Sequence, residues 1–547
     1  MHTRHTDSPL HRSFGLTLAT LIMTSLGTPA LAQLAGGTGP GTAATEVCTQ
    51  DTTTHNVACG TGSQAGSVDN GTATALGSKA VASGAGSVAT GYQATASSNN
   101  SIALGNHARS EGLNAIALGL ASISTMTDSV ALGTNAQAVG SASLSVGAYS
   151  QASGPRAISI GQGSVSSGRD SLASGTGAKA EGWGSVATGY QAHTLGYDSI
   201  AQGTRAFAEG SQSIATGIDS HAANTDGIAL GTRAKALEAG SISLGIDAQS
   251  TQSVSMALGA GAKAEGSESV ATGYQAHTVG DDSIAQGTRA FAEGYQSIAT
   301  GIDSHAARQS VATGPAAVAS GIGSTAISAR AVAEGQNSIA VGVDSKATAY
   351  DSIALGTQSL ASYTGAVAIG RGAQAIADPT VALGDGAVAS ASNAVALGAS
   401  STASATNSVA LGYGSVADQA NTVSVGAPGA TRRITNVAPG VAGTDAVNVN
   451  QLNQTTASFD SKLNTLTGDL KKYAARGTAS AMAMPSIPAL AAGERWVGMG
   501  VGTYGGQSAV GLGVAYQANA KWNLGAAVSA GANGGPVGAR VQAGFKW

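Results

Sequence analysis

Residues 101–119 read SIALGNHARSEGLNAIALG, so that a run of the form x-Ile-Ala-Leu-Gly returns after fourteen residues. Within the first run the side chains alternate: Ile102 and Leu104 share one side of an extended strand, while Ser101, Ala103 and Gly105 share the other. Ala108-Arg109-Ser110, written Ala-x-Ala in many other units, makes a second short strand, and a polar or glycine turn closes the unit. Glycine stands at 77, 91, 105, 119, 133, 147, 161, 175, 189, 203, 217, 231, 245, 259, 273, 287 and 301, each fourteen residues after the last. One residue is then lost before Gly314, Ser328 takes a glycine place, and the register resumes at 342, 356, 370, 384, 398, 412 and 426, for about 26 units. Two strands and two turns in fourteen residues form one coil of a β-solenoid, and coils stacked at about 4.8 Å give a rod of roughly 125 Å.

Such a coil is not self-sufficient. Ordering it costs about 1–2 kcal/mol per residue in backbone entropy, whereas burying one Ile and one Leu returns only about 1.5–3 kcal/mol apiece. The expectation is that the aliphatic pair is buried, and that small-residue packing, hydrogen bonds between coils and contact with other chains supply the rest. Composition agrees with a thin fold: 547 residues hold 79 glycines but only 5 Phe, 4 Trp and 12 Tyr. Proline is rare and glycine does not recur every third residue, which excludes collagen. A formal charge of −4, with a tenth of residues charged and no basic run, excludes nucleic acid as a partner.

A longer duplication overlies the short one. Residues 177–223 and 261–307 agree at 42 of 47 positions, an offset of 84 residues or six coils. It disarms apparent site motifs, because Asp219-Ser220-His221 returns as Asp303-Ser304-His305, and His193 as His277. Neighbouring residues do not make a catalytic triad, which is assembled through a fold, and these histidines read as solvated turn residues. There is no phosphate-binding Gly-Lys-Ser/Thr loop and no carboxylate pair apart from the repeat. No catalytic residue, cofactor or metal ligand is assigned, and no ligand-binding residue can be named.

The first 32 residues read as a secretory signal peptide: Arg4 and Arg12, an apolar run from Phe14 to Leu26, then Ala30-Leu31-Ala32, with cleavage between Ala32 and Gln33. The apolar run is about 13 residues, short of the roughly 20 that span a bilayer. Cys48 and Cys59, the only cysteines, lie in a leader over residues 33–62, where export permits a disulfide. Two free thiols are the alternative; a zinc site lacks ligands, His55 being the only nearby third one.

Past Gly426 the period changes. A connector with Arg432, Arg433, Pro439 and Gly440 leads to Val449, Leu452, Thr456, Phe459, Leu463, Leu466, Leu470 and Tyr473, spaced alternately by three and four, the seam of a coiled coil of about 25 residues. Ala474 to Met484 is rich in small residues that permit close approach. From Arg495 onward, four segments of about ten residues are separated by Gly505-Gly506, Asn519-Ala520-Lys521 and Asn533-Gly534-Gly535. Val510, Leu512, Val514 and Tyr516 alternate with Gly511, Gly513, Ala515 and Gln517, as do Val537, Ala539, Val541, Ala543, Phe545 and Trp547 with small or polar residues. Such strands suit a transmembrane β-barrel, with Trp496, Tyr504, Tyr516, Trp522 and Trp547 near the strand ends where interfacial girdles lie. Four strands do not close a barrel, so several chains must contribute.

In that order the parts resemble the trimeric autotransporter adhesins, the YadA-like family. Ser-Ile/Val-Ala-Leu-Gly units resemble its left-handed parallel β-roll head. Arg433-Ile434-Thr435-Asn436-Val437-Ala438 with Thr444 to Leu452 resembles its neck; Gly498, Gly500, Gly502, Tyr504, Gly506 and the strand ending in Trp547 resemble its anchor. The corresponding division is signal peptide 1–32, leader 33–62, roll 63–426, neck 427–448, coiled coil and pore-threading linker 449–493, and anchor 494–547. The resemblance implies a homotrimer with a twelve-stranded barrel in the outer membrane, contacting its lipid and the barrel-assembly machinery. It also implies export through the periplasm and heads displayed on the cell surface. Gly477, Ala479, Ser480 and Ala481 match the region passing the pore. The chain departs from the family in its short coiled coil and in the cysteine-bearing leader. The expected function is attachment to host cells or extracellular matrix by a non-enzymatic protein. Self-association in a biofilm or surface coat is the alternative, and a polysaccharide-cleaving solenoid a remote third.

Overall fold

The computed structural model describes residues 48–51, 54–66 and 71–547; the Ala32–Gln33 junction lies outside them. The described chain is mainly β and falls into two compact units that divide between Ala430 and Thr431.

The first unit is the solenoid. Each coil contributes a three-residue strand, such as Ile102–Leu104, and a two-residue strand, such as Arg109–Ser110. Long strands pair only with long strands of adjacent coils and short with short, all parallel and in register, as in Ile102↔Ile116 and Arg109↔Ile123. Among the described residues the long ladder has 27 parallel strands, preceded by one antiparallel strand at its start, and the short ladder has 26. Backbone bonds such as Ile102 N to Ala115 O at 2.8 Å and Gly119 N to Leu104 O at 2.8 Å tie coil to coil. The residue lost before Gly314 comes out of a turn, so Ile298↔Val311 and His305↔Val318 keep the register.

The glycine register has a steric cause. Gly105 sits at φ +145°, and a Cβ there would lie 2.2 Å from the Gly119 carbonyl oxygen of the next coil. Only glycine both adopts that angle freely and leaves room for the stack.

The core corrects one expectation. Ser101 and Ala103 are fully buried, whereas Ile102 and Leu104 stay partly exposed, and the same holds from Ala75 to Ala410. The inside of so narrow a coil admits only methyl- and hydroxyl-sized groups, so the aliphatic pairs point outward. They form a continuous stripe along the long-strand ladder, with members such as Leu118, Ile160, Leu244 and Leu411 exposed. Some of the interior serines pair with one another, as in Ser124–Ser129 at 2.6 Å and Ser145–Ser150 at 2.6 Å, and others donate to a turn carbonyl, as Ser143 does to Gly140 O at 2.7 Å. That removes most of the cost of burying them.

At the start, Cys48–Gln50 lies antiparallel to Val57–Cys59 with Cys48 opposite Cys59, their Cα atoms 4.0 Å apart and their sulfurs in contact.

In the second unit a single helix, α1 (Val449–Ala483), runs 35 residues, beyond the 25 of the heptad pattern. The neck residues build its start. Asn448 caps it, its side chain accepting from Gln451 N at 3.0 Å, while Gln451 Oε1 accepts from Asn448 N at 3.3 Å and from Gly440 N at 2.9 Å. Asp445 accepts from Val441 N and Ala442 N, both at 2.9 Å, and these bonds hold its carboxyl below the ordinary 3.8. Four antiparallel strands follow in sequence order: Arg495–Tyr504, Gln507–Gln517, Trp522–Gly531 and Val537–Phe545. No described helix is long and apolar enough to cross a membrane.

Candidate functional surfaces

The last two turns of α1 pack on the four strands because both sides are small. Ala475, Ala479, Ser480 and Ala483 are buried against Ala509 and the glycines of the sheet. A Cβ at Gly502 would lie 2.4 Å from the Ala479 carbonyl oxygen, and one at Gly511 would lie 2.2 Å from that of Ala483. Ser480 Oγ donates to Pro536 O at 2.9 Å, and Arg476 Nε to Gln507 Oε1 at 3.0 Å. The opposite face of the sheet carries Val510, Leu512, Val514 and Val541, all exposed. Trp496 departs from its expected outward place: it shares the inner face with Gly498 and Gly513, whose missing side chains leave room for the indole. Both edge strands, Arg495–Tyr504 and Val537–Phe545, pair on one side only.

The eight heptad residues Val449, Leu452, Thr456, Phe459, Leu463, Leu466, Leu470 and Tyr473 are all exposed on α1. Thr456 turns its hydroxyl back onto the Leu452 carbonyl at 2.9 Å, so the one polar member of the row is satisfied within the helix.

The roll displays two kinds of ladder. At its corners, arginine in one coil grips aspartate in the next: Arg205–Asp219 at 2.5 and 2.7 Å, Arg233–Asp247 at 2.6 and 2.7 Å, and likewise Arg289–Asp303 and Arg330–Asp344. Hydrogen bonds from the guanidinium hold each of these carboxyls below its ordinary 3.8. On the short-strand face, His193, Phe207 and His221 stack at 5.1 and 5.0 Å, and His277, Phe291 and His305 repeat the stack at 5.2 and 5.1 Å. His221 Nε2 lies 3.2 Å from Glu209, and His305 Nε2 lies 2.9 Å from Glu293. These histidines therefore sit on strands, not in turns as expected. The x of Ala-x-Ala projects outward once per coil, and reading every fourteenth residue would have found the stack.

Asp219, Ser220 and His221 point in three directions. The aspartate pairs with Arg205, the buried serine donates to Gly217 O at 3.0 Å, and the imidazole faces Glu209. They form no hydrogen-bonded relay.

A stacked roll comes first in the chain, followed by a capped neck, a heptad helix and a small-faced four-stranded sheet of the kind that anchors in a membrane. The YadA head domain repeat matches sixteen windows from residue 71 to residue 427, the coiled stalk of trimeric autotransporter adhesin matches 433–475, and the YadA-like membrane anchor domain matches 489–547. The chain belongs to the YadA-like trimeric autotransporter adhesins, and is a surface adhesin with a C-terminal outer-membrane anchor domain. Among solved structures it is similar to the collagen-binding domain of the Yersinia adhesin YadA, at 26% identity over 40% of this chain and 83% of that one, with a TM-score of 0.13.

Proposed function

We propose that three copies assemble through the aliphatic stripe of the roll and the heptad row of α1, and that their anchors close a twelve-stranded barrel through which the passengers are exported. The assembled heads then attach the cell to host cells or extracellular matrix, without enzymatic activity. The observation that carries this is the pair of surfaces left open in one chain: an aliphatic row at every coil, and a sheet with two free edges around a helix. Contiguous apolar surface of that length marks an interface. Repetition along the rod, three chains at a time, supports attachment by avidity, which needs no strong single contact.

Within this reading the signal peptide is removed between Ala32 and Gln33, Cys48 and Cys59 form an intrachain bridge in the leader, and the outward anchor residues Val510, Leu512, Val514 and Val541 meet outer-membrane lipid after insertion by the barrel-assembly machinery. Residues 33–448, trimerised and applied to immobilised matrix proteins, collagen among them, and to host cells, test the attachment. Saturable binding to one of these is the expected result. Binding only to further copies of the head would replace attachment with self-association.

A further inference from the structure

We propose that the corner of the roll around Trp183 and Tyr197 is a glycan-binding site that takes a neutral hexopyranose against its aromatic faces. The proposal rests on the adhesin reading above and names a ligand class for it. Trp183 is the only tryptophan in the roll, the other three being in the anchor. It is 59% exposed, Tyr197 in the next coil is 57% exposed, and their rings meet edge to face at 5.6 Å. Large aromatic rings left in water at a rod's corner contribute nothing to its core, and such rings are the usual anchors of binding surfaces. Around them lies an open cleft of about 740 Å³ lined by Arg169, Asp170, Trp183, Gly184, Tyr197 and Asp198.

The internal duplication isolates this corner. Five positions differ between residues 177–223 and 261–307: Trp183 becomes Ser267, Gly184 becomes Glu268, Tyr197 becomes Asp281, Ser211 becomes Tyr295, and Leu195 becomes Val279. Positions 183, 197 and 211 occupy one row of successive coils, and 184 adjoins it, so four of the five changes fall at one corner. The backbone there is the same in both copies: Asp198 N donates to Trp183 O at 2.7 Å, and Asp282 N to Ser267 O at 2.9 Å. One scaffold thus carries a Trp–Tyr pair in one copy and, in the other, an acidic corner beside a single tyrosine, Tyr295. A surface needed for packing between chains would be expected in every coil, as the aliphatic stripe is.

The chemistry of the cleft selects the ligand. The C–H bonds of a pyranose ring present a weakly positive face that complements the negative face of an indole or phenol ring. Its hydroxyls donate to carboxylates. Asp198 leans over Gly184, where a Cβ would come within 2.3 Å of its Oδ1, so the glycine keeps that acceptor beside the rings. Arg169, at 3.4 Å from Asp170, adds a donor for ring or hydroxyl oxygens. Because the two rings touch each other, no slot remains between them for a compact cation, which an aromatic cage would need.

The test uses the full chain, purified in detergent, on a panel of galactose-, mannose- and N-acetylglucosamine-terminated neutral oligosaccharides, with phosphatidylcholine vesicles and a proline-rich peptide as comparators. The variant W183S/G184E/Y197D installs residues that the second copy already accommodates. Retention of at least one oligosaccharide is expected, weakened about tenfold or more by the triple substitution, with the native mass unchanged. The site is overturned by no retention, by equal retention in the variant, or by preference for the vesicles or the peptide. Loss of native mass in the variant would overturn it too, by placing the pair between chains. Matrix attachment is scored on the same samples. Attachment by the unaltered chain without oligosaccharide retention overturns the glycan site alone, whereas absence of attachment overturns the adhesin reading.

Discussion

Ser328 holds, at φ 108°, the place that glycine occupies in the other coils of the register. A residue with a Cβ in that region costs on the order of 1 kcal/mol, so Ser328→Gly should stabilise the roll by about that amount. The midpoint of thermal unfolding of the full chain would rise; a lower midpoint would show that the serine side chain contributes more than its backbone angle costs. The corner ladders make a different prediction at the same scale. The arginine-bonded carboxyls of Asp219 and Asp303 lie below 3.8 in the folded chain, so the unfolded state binds protons first as pH falls. Their contribution is therefore complete above that value and is lost as pH drops through the lower, folded one. Arg205→Gln with Arg289→Gln should lower stability in neutral urea unfolding, and the difference from the unaltered chain should shrink only below pH 3.8. A difference that disappears well above that pH would mean that these carboxylates do not carry it. The effect should be small and salt-sensitive, because both partners are exposed.

At the scale of elements, the sequence made the coil legible because its glycine constraint is strictly periodic: Gly105 must avoid Gly119, which must avoid Gly133. Alternation separated Ile102 and Leu104 from Ser101 and Ala103, but a period of two names two faces without saying which is inside. Hydrophobicity pointed to the aliphatic pair, and the narrow bore of the coil decided for alanine and serine. The heptad row was equally legible, whereas the extension of α1 to Ala483 was not, because its last turns exchange leucines for residues that fit the sheet glycines. The corner cleft at Trp183 stood in the sequence as a difference between duplicates, visible only once the rows were aligned in space. The helix–sheet contact is testable directly. Gly502→Ala would put a methyl group 2.4 Å from the Ala479 carbonyl and 2.6 Å from the Ala483 amide, neither of which can yield without moving α1. Overpacking of this kind costs about 1–3 kcal/mol. The variant should show a lower yield of folded, heat-modifiable anchor on gels, while Gly506→Ala, with nothing within 4 Å, measures the effect of a positive φ alone.

At the scale of the whole molecule, the anchor poses a closure problem that fixes its stoichiometry. Each chain brings four strands with two free edges and one helix seated on the inner, glycine-rich face. Free edges in a membrane leave backbone groups unpaired, which a lipid environment does not tolerate. Two chains would give eight strands, whose interior is just wide enough for side chains and has no space for two helices. Three chains give twelve strands around three helices, and the same number satisfies the exposed row of Leu463, Leu466 and Leu470. Residues 449–547 behind a signal peptide should therefore yield a heat-modifiable species at three times the monomer mass in the outer membrane. A monomer or dimer in crosslinking and native mass spectrometry would overturn the trimer, and recovery in the soluble periplasm would overturn the anchor. Leu463→Asp with Leu466→Asp forces six carboxylates into the seam of three helices and should reduce trimer yield. Unchanged yield would mean that edge pairing of the strands alone sets the number of chains, with the helices following it.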